Sequence, residues 1–317
     1  MFMHSKSGRR LISLSLLIIG SFSAIAQTEQ DAIMMNKRQF CAGIMANFSK
    51  WEDYWEGTLK RNNENLGKVS NRSLMIGANY GITDDLNIMI SAMHVSTKAS
   101  AGTLQGLDGI QDATLSVKWR GLNQKFGDSK LKLFLIGSLS TPLTDYVTDF
   151  QPLSIGLGTT NLSGKLMADY QYKKLSVTAW ASYIRRSNIK IDRTSYYDTE
   201  LRLTNEVEMP DAANFQLRAG YRGKYLLAEG VLTNWTTLGG FDITRNNMPF
   251  PSNRMNATIA GVNIKYTIPS FVKLSLLVNA NYTLAGRNMG QANTVGGGIF
   301  YAFYFKNKPS TSSTQKK

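Results

Sequence analysis

Twelve stretches of alternating residue type, joined by connections that are short and long by turns, constrain this chain more than any other feature. The stretches are 39–48, 72–82, 86–96, 110–121, 130–142, 160–172, 175–191, 214–222, 225–238, 256–268, 272–284 and 294–305. In the fourth, Ala113, Leu115, Val117 and Trp119 oppose Asp112, Thr114, Ser116, Lys118 and Arg120. In the sixth, Leu162, Gly164, Leu166, Ala168, Tyr170 and Tyr172 oppose Asn161, Ser163, Lys165, Met167, Asp169 and Gln171. Period two marks a strand with one apolar face. Tight connections fall at Thr83-Asp84-Asp85, Lys173-Lys174, Gly223-Lys224 and Pro269-Ser270, with 122–129 somewhat longer. The others span 49–71, 97–109, 143–159, 192–213, 239–255 and 285–293. Short turns at one end and long loops at the other predict an all-β chain: a transmembrane antiparallel up-and-down β-barrel of about twelve strands. The turns are then periplasmic, the loops extracellular, and an even strand count puts both termini on the periplasmic side. A soluble sandwich has no reason to keep that asymmetry.

The two ends extend the reading. Lys6, Arg9 and Arg10 precede an apolar run at 11–22, and Ala24-Ile25-Ala26 supplies a small-x-small cleavage pattern. This predicts a cleaved secretory signal at 1–26, then a lead-in or short luminal plug at 27–38, a barrel at 39–305 and a polar periplasmic tail at 306–317. The expected location is the cell outer membrane of a Gram-negative-type envelope. At the other end, T-V-G-G-G-I-F-Y-A-F-Y-F, Thr294 to Phe305, is apolar or glycine on both parities yet too short for a membrane helix. Gly298, Tyr301, Phe303 and Phe305 resemble the C-terminal signal by which outer-membrane barrels are recognised for insertion. The resemblance implies the barrel-assembly machinery as a partner, with membrane lipid as the surroundings.

Composition removes other classes. No mature segment approaches ~18 consecutive apolar residues, so a bundle of membrane helices is excluded. The formal charge of +14 loses Lys6, Arg9 and Arg10 with the signal and becomes +11. Its basic residues are spread among strands and an export signal precedes them, so no nucleic-acid partner is expected. The single cysteine, Cys41, excludes an intrachain disulfide and a cysteine-based zinc site. Met34, Met35 and Met45 read as packing rather than as soft metal ligands. Gly296-Gly297-Gly298 lies inside a strand and opens no helix, so no phosphate loop is expected. No cofactor or metal is implied.

If the Leu, Val and aromatic parity faces lipid, the opposite parity faces the lumen. That set holds Lys118, Arg120, Lys132, Lys165, Arg218, Arg222 and Lys273 against Asp112, Asp169 and Glu229. One expectation is a net-basic path favouring anions or polar solutes; the other is a salt-bridged interior that holds the barrel's shape. Twelve strands fall between barrels filled by side chains and wide porins, so an open pore and a plugged lumen both remain. In the first long loop, Trp51, Tyr54 and Trp55 are candidates for a constriction or for an interfacial aromatic belt. The mature chain has one histidine, His94, with Ser91 and Ser96 nearby. Neighbours on one strand do not form a nucleophile–base pair, so no enzyme is expected.

Between residues 79 and 142, N-Y-G-I-T-D-D-L, G-L-D-G-I-Q-D-A-T-L-S-V-K and G-S-L-S-T-P resemble the transporter-like outer-membrane barrels grouped with the phenol-degradation MetA-pathway proteins. The matching residues are Tyr80 to Leu86, Gly109 to Lys118 and Gly137 to Pro142. The resemblance implies passive passage of small, often hydrophobic molecules, with a distant likeness to fatty-acid channels, and carries over no catalytic residue. The expectation is therefore a porin-like channel or transporter for small solutes. The alternative is a non-conducting barrel whose surface loops bind a partner or serve in surface assembly.

Overall fold

The computed structural model of the chain describes residues 28–243, 248–271 and 273–305. The expected signal at 1–26, Gln27 and the polar tail at 306–317 lie outside the described residues. Twelve antiparallel strands close into a barrel. They are β1 (Gln39–Trp51), β2 (Val69–Gly81), β3 (Leu86–Ala99), β4 (Asp108–Phe126), β5 (Ser129–Pro142) and β6 (Asn161–Tyr172). Then come β7 (Leu175–Arg186), β8 (Ala212–Arg222), β9 (Leu226–Thr237), β10 (Asn256–Thr267), β11 (Leu274–Arg287) and β12 (Asn293–Tyr304). Each strand pairs with its neighbour in the chain. The seam is closed by β1 and β12, from Gln39↔Tyr304 to Lys50↔Asn293.

Closure leaves no strand edge unpaired, which is the condition for backbone to sit in hydrocarbon. The outward parity is the apolar one. On β6, Leu162, Leu166, Tyr170 and Tyr172 are exposed, Leu166 at 67%, while Lys165, Met167 and Asp169 between them are buried. Such a belt of exposed leucines, valines and tyrosines around a closed sheet suits lipid, not water.

Most boundaries fall within about three residues of expectation; two differ by five, each for a local reason. The β4–β5 hairpin takes in the stretch read as a connection at 122–129. A register shift between Arg120 and Leu122 carries the ladder on to Phe126↔Ser129, and Gly127, at φ 57°, makes the tight turn. Strand β7 ends at Arg186 rather than 191; Ile189–Lys190 leaves the barrel and pairs with Glu206–Val207 inside the long loop. The loops carry further small hairpins at Asp53–Glu56 with Leu59–Asn62 and at Tyr196–Tyr197 with Leu201–Arg202.

Candidate functional site

Inward residues of β4 to β10 assemble a charged network near the short-turn end. Lys132 on β5 and Asp169 on β6 are a cross-strand pair, as are Asp169 and Thr178 on β7. Asp169 accepts a hydrogen bond from Thr178 Oγ1 at 2.7 Å, both its oxygens accept from Arg222 Nη1 at 3.0 Å, and Lys132 Nζ lies 3.3 Å away. On β9, Glu229 stands opposite Gly220, with Arg218 and Arg222 two positions to either side on the same face. Arg218 donates through Nε and Nη2 to Glu229 Oε2 at 2.9 Å, and Arg222 Nη2 donates to Oε1 at 3.2 Å. Arg222 thus joins the two carboxylates. Both acids and Arg218 are buried. In so dry a place each charge depends on its partners.

Segment 28–36 lies inside this network. It enters at the short-turn end, where Arg38 N donates to Gly81 O at 2.8 Å and Lys37 N to Asp84 Oδ1 at 2.9 Å. Asn36 Nδ2 donates to the Tyr304 hydroxyl at 3.0 Å. Further in, luminal cations hold its backbone. Lys118, with no exposed surface, donates to the carbonyls of Thr28 at 3.3 Å and Ile33 at 3.1 Å and also to that of Asp31. Arg218 Nη1 donates to Gln30 O at 2.9 Å, and Lys132 Nζ to Ala32 O at 3.4 Å. Asp31 turns the segment back on itself, accepting from Thr28 N at 2.8 Å and Ile33 N at 3.0 Å. Glu29 reaches β4, β5 and β6, where its Oε1 accepts from Ser116 and, at 3.2 Å, from Ser138 Oγ, and its Oε2 lies 3.5 Å from Lys165 Nζ. Apolar residues complete the fit. Ala32 and Met34 pack on Phe134, Ile136, Met167 and Trp180; Met35 packs with Cys41, Leu277, Phe300 and Ala302.

The sequence-derived candidates therefore divide. Lys118, Lys132, Lys165, Asp169, Arg218, Arg222 and Glu229 meet within one network. Arg120 sits at the turn rim, its guanidinium 2.6 Å from Asp85 Oδ1 and donating to Asp84 O at 3.0 Å. Lys273 is exposed on the turn before β11, because that strand begins at Leu274. Its place in a luminal set is corrected: the turn residue lies outside the two-residue alternation. Lys265, buried on β10 between exposed Ile264 and Tyr266, was missed although the same alternation marks it. Phe134, Ile136 and Trp180 were missed for a different reason. They are apolar and face inward on the parity of Lys132 and Thr178, where residue type by itself gives no luminal signal.

At the loop end, Trp51 and Trp55 pack on the last loop. The Trp51 ring lies against Gly290 and the buried Trp55 against Gly286, where a Cβ would collide with them. Trp55 N donates to Met289 O at 2.9 Å and Gln291 N to Asp53 O at 2.7 Å, so the 53–62 hairpin is laced to the last loop. Tyr54 leans on Trp51 at 6.3 Å. Asn288 ties three loops. It donates to Asp242 Oδ1 at 2.7 Å and Arg254 O at 2.6 Å, and accepts from Gly57 N at 2.7 Å and Ile243 N at 3.1 Å. Two apolar loop cores flank the mouth: Leu66, Val69 and Leu153 with Trp51 and Phe150, and Ile189, Ile191, Val207, Met209 and Phe250. Tyr146 folds in from its loop to donate to Asp112 Oδ1 at 2.8 Å; burial, with that carboxylate beside it, pushes its hydroxyl well above the usual tyrosine range.

The aromatics Tyr301, Phe303 and Phe305 lie at the short-turn end of the seam, and Gly298 lies midway along it opposite Met45. The three rings cluster outside the barrel with Phe40, Tyr80 and Phe271. His94 also faces outward, at the other end, with Nε2 3.2 Å from Asp108 Oδ2. Among the described residues its hydrogen-bond partner is a carboxylate rather than a serine.

No family model matches the chain, and no curated protein matches it. Among solved structures it is similar to the COG4313 outer membrane channel from Pseudomonas putida F1, at a TM-score of 0.70 and 14% identity, covering 88% of this chain and 100% of that one. It is also similar to the NanC porin, at a TM-score of 0.45 and 7% identity over 81% and 98% of the two chains. The translocator domain of the autotransporter NalP from Neisseria meningitidis gives 0.45 and 10% over 86% and 91%. The likeness is one of architecture: this chain has the closed antiparallel barrel of an outer-membrane channel.

Proposed function

We propose that the protein is an outer-membrane channel for passive diffusion of small solutes, held closed at its periplasmic end by its own N-terminal segment. One observation carries this reading. Segment 28–36 is held mainly by side chains of the wall donating to its backbone carbonyls, not by strand pairing. Hydrogen bonds to a charged donor contribute about 1.5–3 kcal/mol each when made. When the segment leaves, Lys118, Lys132, Lys165 and Arg218 regain water or a solute, so release is far less costly than breaking a strand. Cations then outnumber carboxylates along the path, which supports a preference for anions. The resemblance to MetA-pathway barrels supports small, partly hydrophobic cargo.

The test is conductance in a planar bilayer of the refolded mature chain and of a variant lacking residues 28–37. The expected result is a closed or barely conducting wild type, with discrete, anion-preferring steps in the truncated form. A folded truncated barrel that does not conduct overturns the reading. A second reading, a surface-binding barrel, draws on the exposed Tyr197, Leu201 and Leu203 of one loop hairpin. It gains ground only on that null outcome.

A further inference from the structure

Phe134, Ile136, Met167 and Trp180 make an apolar wall inside the lumen. It borders a set of donors aimed at one point. Ser116 and Ser138 are a cross-strand pair, and Lys165 stands opposite Ile136 on the next strand. The two hydroxyls converge on one oxygen of the Glu29 carboxylate while Lys165 faces the other. Lys165 is itself poised over the Trp180 ring at 4.5 Å. Two hydroxyl donors and an ammonium around a single carboxylate, with an aromatic and aliphatic surface alongside, are what recognises an anion with an apolar body. In the resting chain, Glu29 supplies the anion, and Ala32 and Met34 supply the apolar cover.

We infer that Ser116, Ser138, Lys165 and the Phe134–Ile136–Met167–Trp180 wall form a binding site for amphipathic carboxylates, occupied at rest by the chain's own Glu29. The inference rests on the channel reading and adds to it a solute class and a means of opening. An arriving carboxylate takes the donors that Glu29 holds, and the segment loses its contact with that wall. Differential affinity for the freed site is the only way such a solute can shift the equilibrium. A wall that served merely to seat the segment would need no third donor on a carboxylate that already has two.

The probe is benzoate, with benzyl alcohol as its uncharged counterpart, titrated calorimetrically into the full chain in detergent with empty-micelle heats subtracted. Glu29→Gln removes the internal competitor's charge and is expected to tighten benzoate binding about tenfold, leaving benzyl alcohol within about twofold. Adding Lys165→Gln is expected to reverse that gain. Adding instead Ser138→Ala, which alters no charge, is expected to cost about threefold and keeps the test alive if the lysine variant does not fold. Equal benzoate affinity in wild type and Glu29→Gln, or retention of the gain without Lys165, overturns the inference. Bilayer conductance of the same proteins separates the two ideas. Conduction without benzoate selectivity overturns the site and keeps the channel; benzoate binding with no conduction even from the folded form lacking residues 28–37 keeps the site and overturns the channel.

Discussion

Asp169 concentrates the residue-scale argument, because three strands aim donors at its one carboxylate. Replacing it by Asn leaves Lys132 without its carboxylate and Arg222 with Glu229 alone. Breaking a buried pair from one side costs about 3–5 kcal/mol, since the stranded charge stays dry. Asp169→Asn is therefore expected to lower the urea midpoint of the barrel in lipid vesicles, followed by tryptophan fluorescence; an unchanged midpoint would show that the network is wet. These partners were readable from sequence because strand parity alone puts Lys132, Asp169, Arg222 and Glu229 on one face. What sequence could not show is which of them touch. That depends on register between strands, and Lys132 meets Asp169 only because β5 and β6 align as they do. Trp180 and Phe134 escaped for a physical reason as well. Aromatics suit lipid and a packed interior equally, so their type does not mark them as part of the site, and only the segment that covers them shows what they pack against.

Among elements, the strands were the legible part and the segments between them were not. Alternation and turn residues located all twelve strands to within a few residues, since each strand's two faces meet different solvents. The loops obey no such period. That Trp55 would lie on Gly286, or that Asn288 would tie three loops, follows from tertiary packing alone. The loop clasp is expected to respond to acid. The Arg287 guanidinium, donating to Asp242 at 2.8 Å, holds that carboxyl below its ordinary value of 3.8. A depressed carboxyl stabilises the clasp fully above that value, and the stabilisation is lost as pH falls through the lowered one. Hydrogen exchange should show the amides of Gly57 and Ile243 protected at pH 6 and opening below about 3.8. Equal protection at both pH values would rule out the carboxylate as the clasp's anchor.

For the whole molecule, the seam decides whether a sheet becomes a barrel. Across it Gly43 on β1 faces Phe300 on β12, and the ring lies where a Cβ on residue 43 would be. Gly43→Val must displace that ring from its packing with Met35 and Cys41, an overpacking worth about 1–3 kcal/mol. The expected readout is a smaller fraction of the compact, fast-migrating form in unboiled detergent gels; an undiminished fraction would mean that the seam tolerates the change. The N-terminal segment adds a matter of timing. Its partners lie far along the chain: 85 to 90 residues separate it from Lys118, 100 from Lys132, 136 from Lys165 and 188 from Arg218. No partly built sheet offers all of those donors, and contacts so distant in sequence form late. Residues synthesised before any strand thus have to wait, enclosed as the sheet curls around them, until the last hairpins are in place.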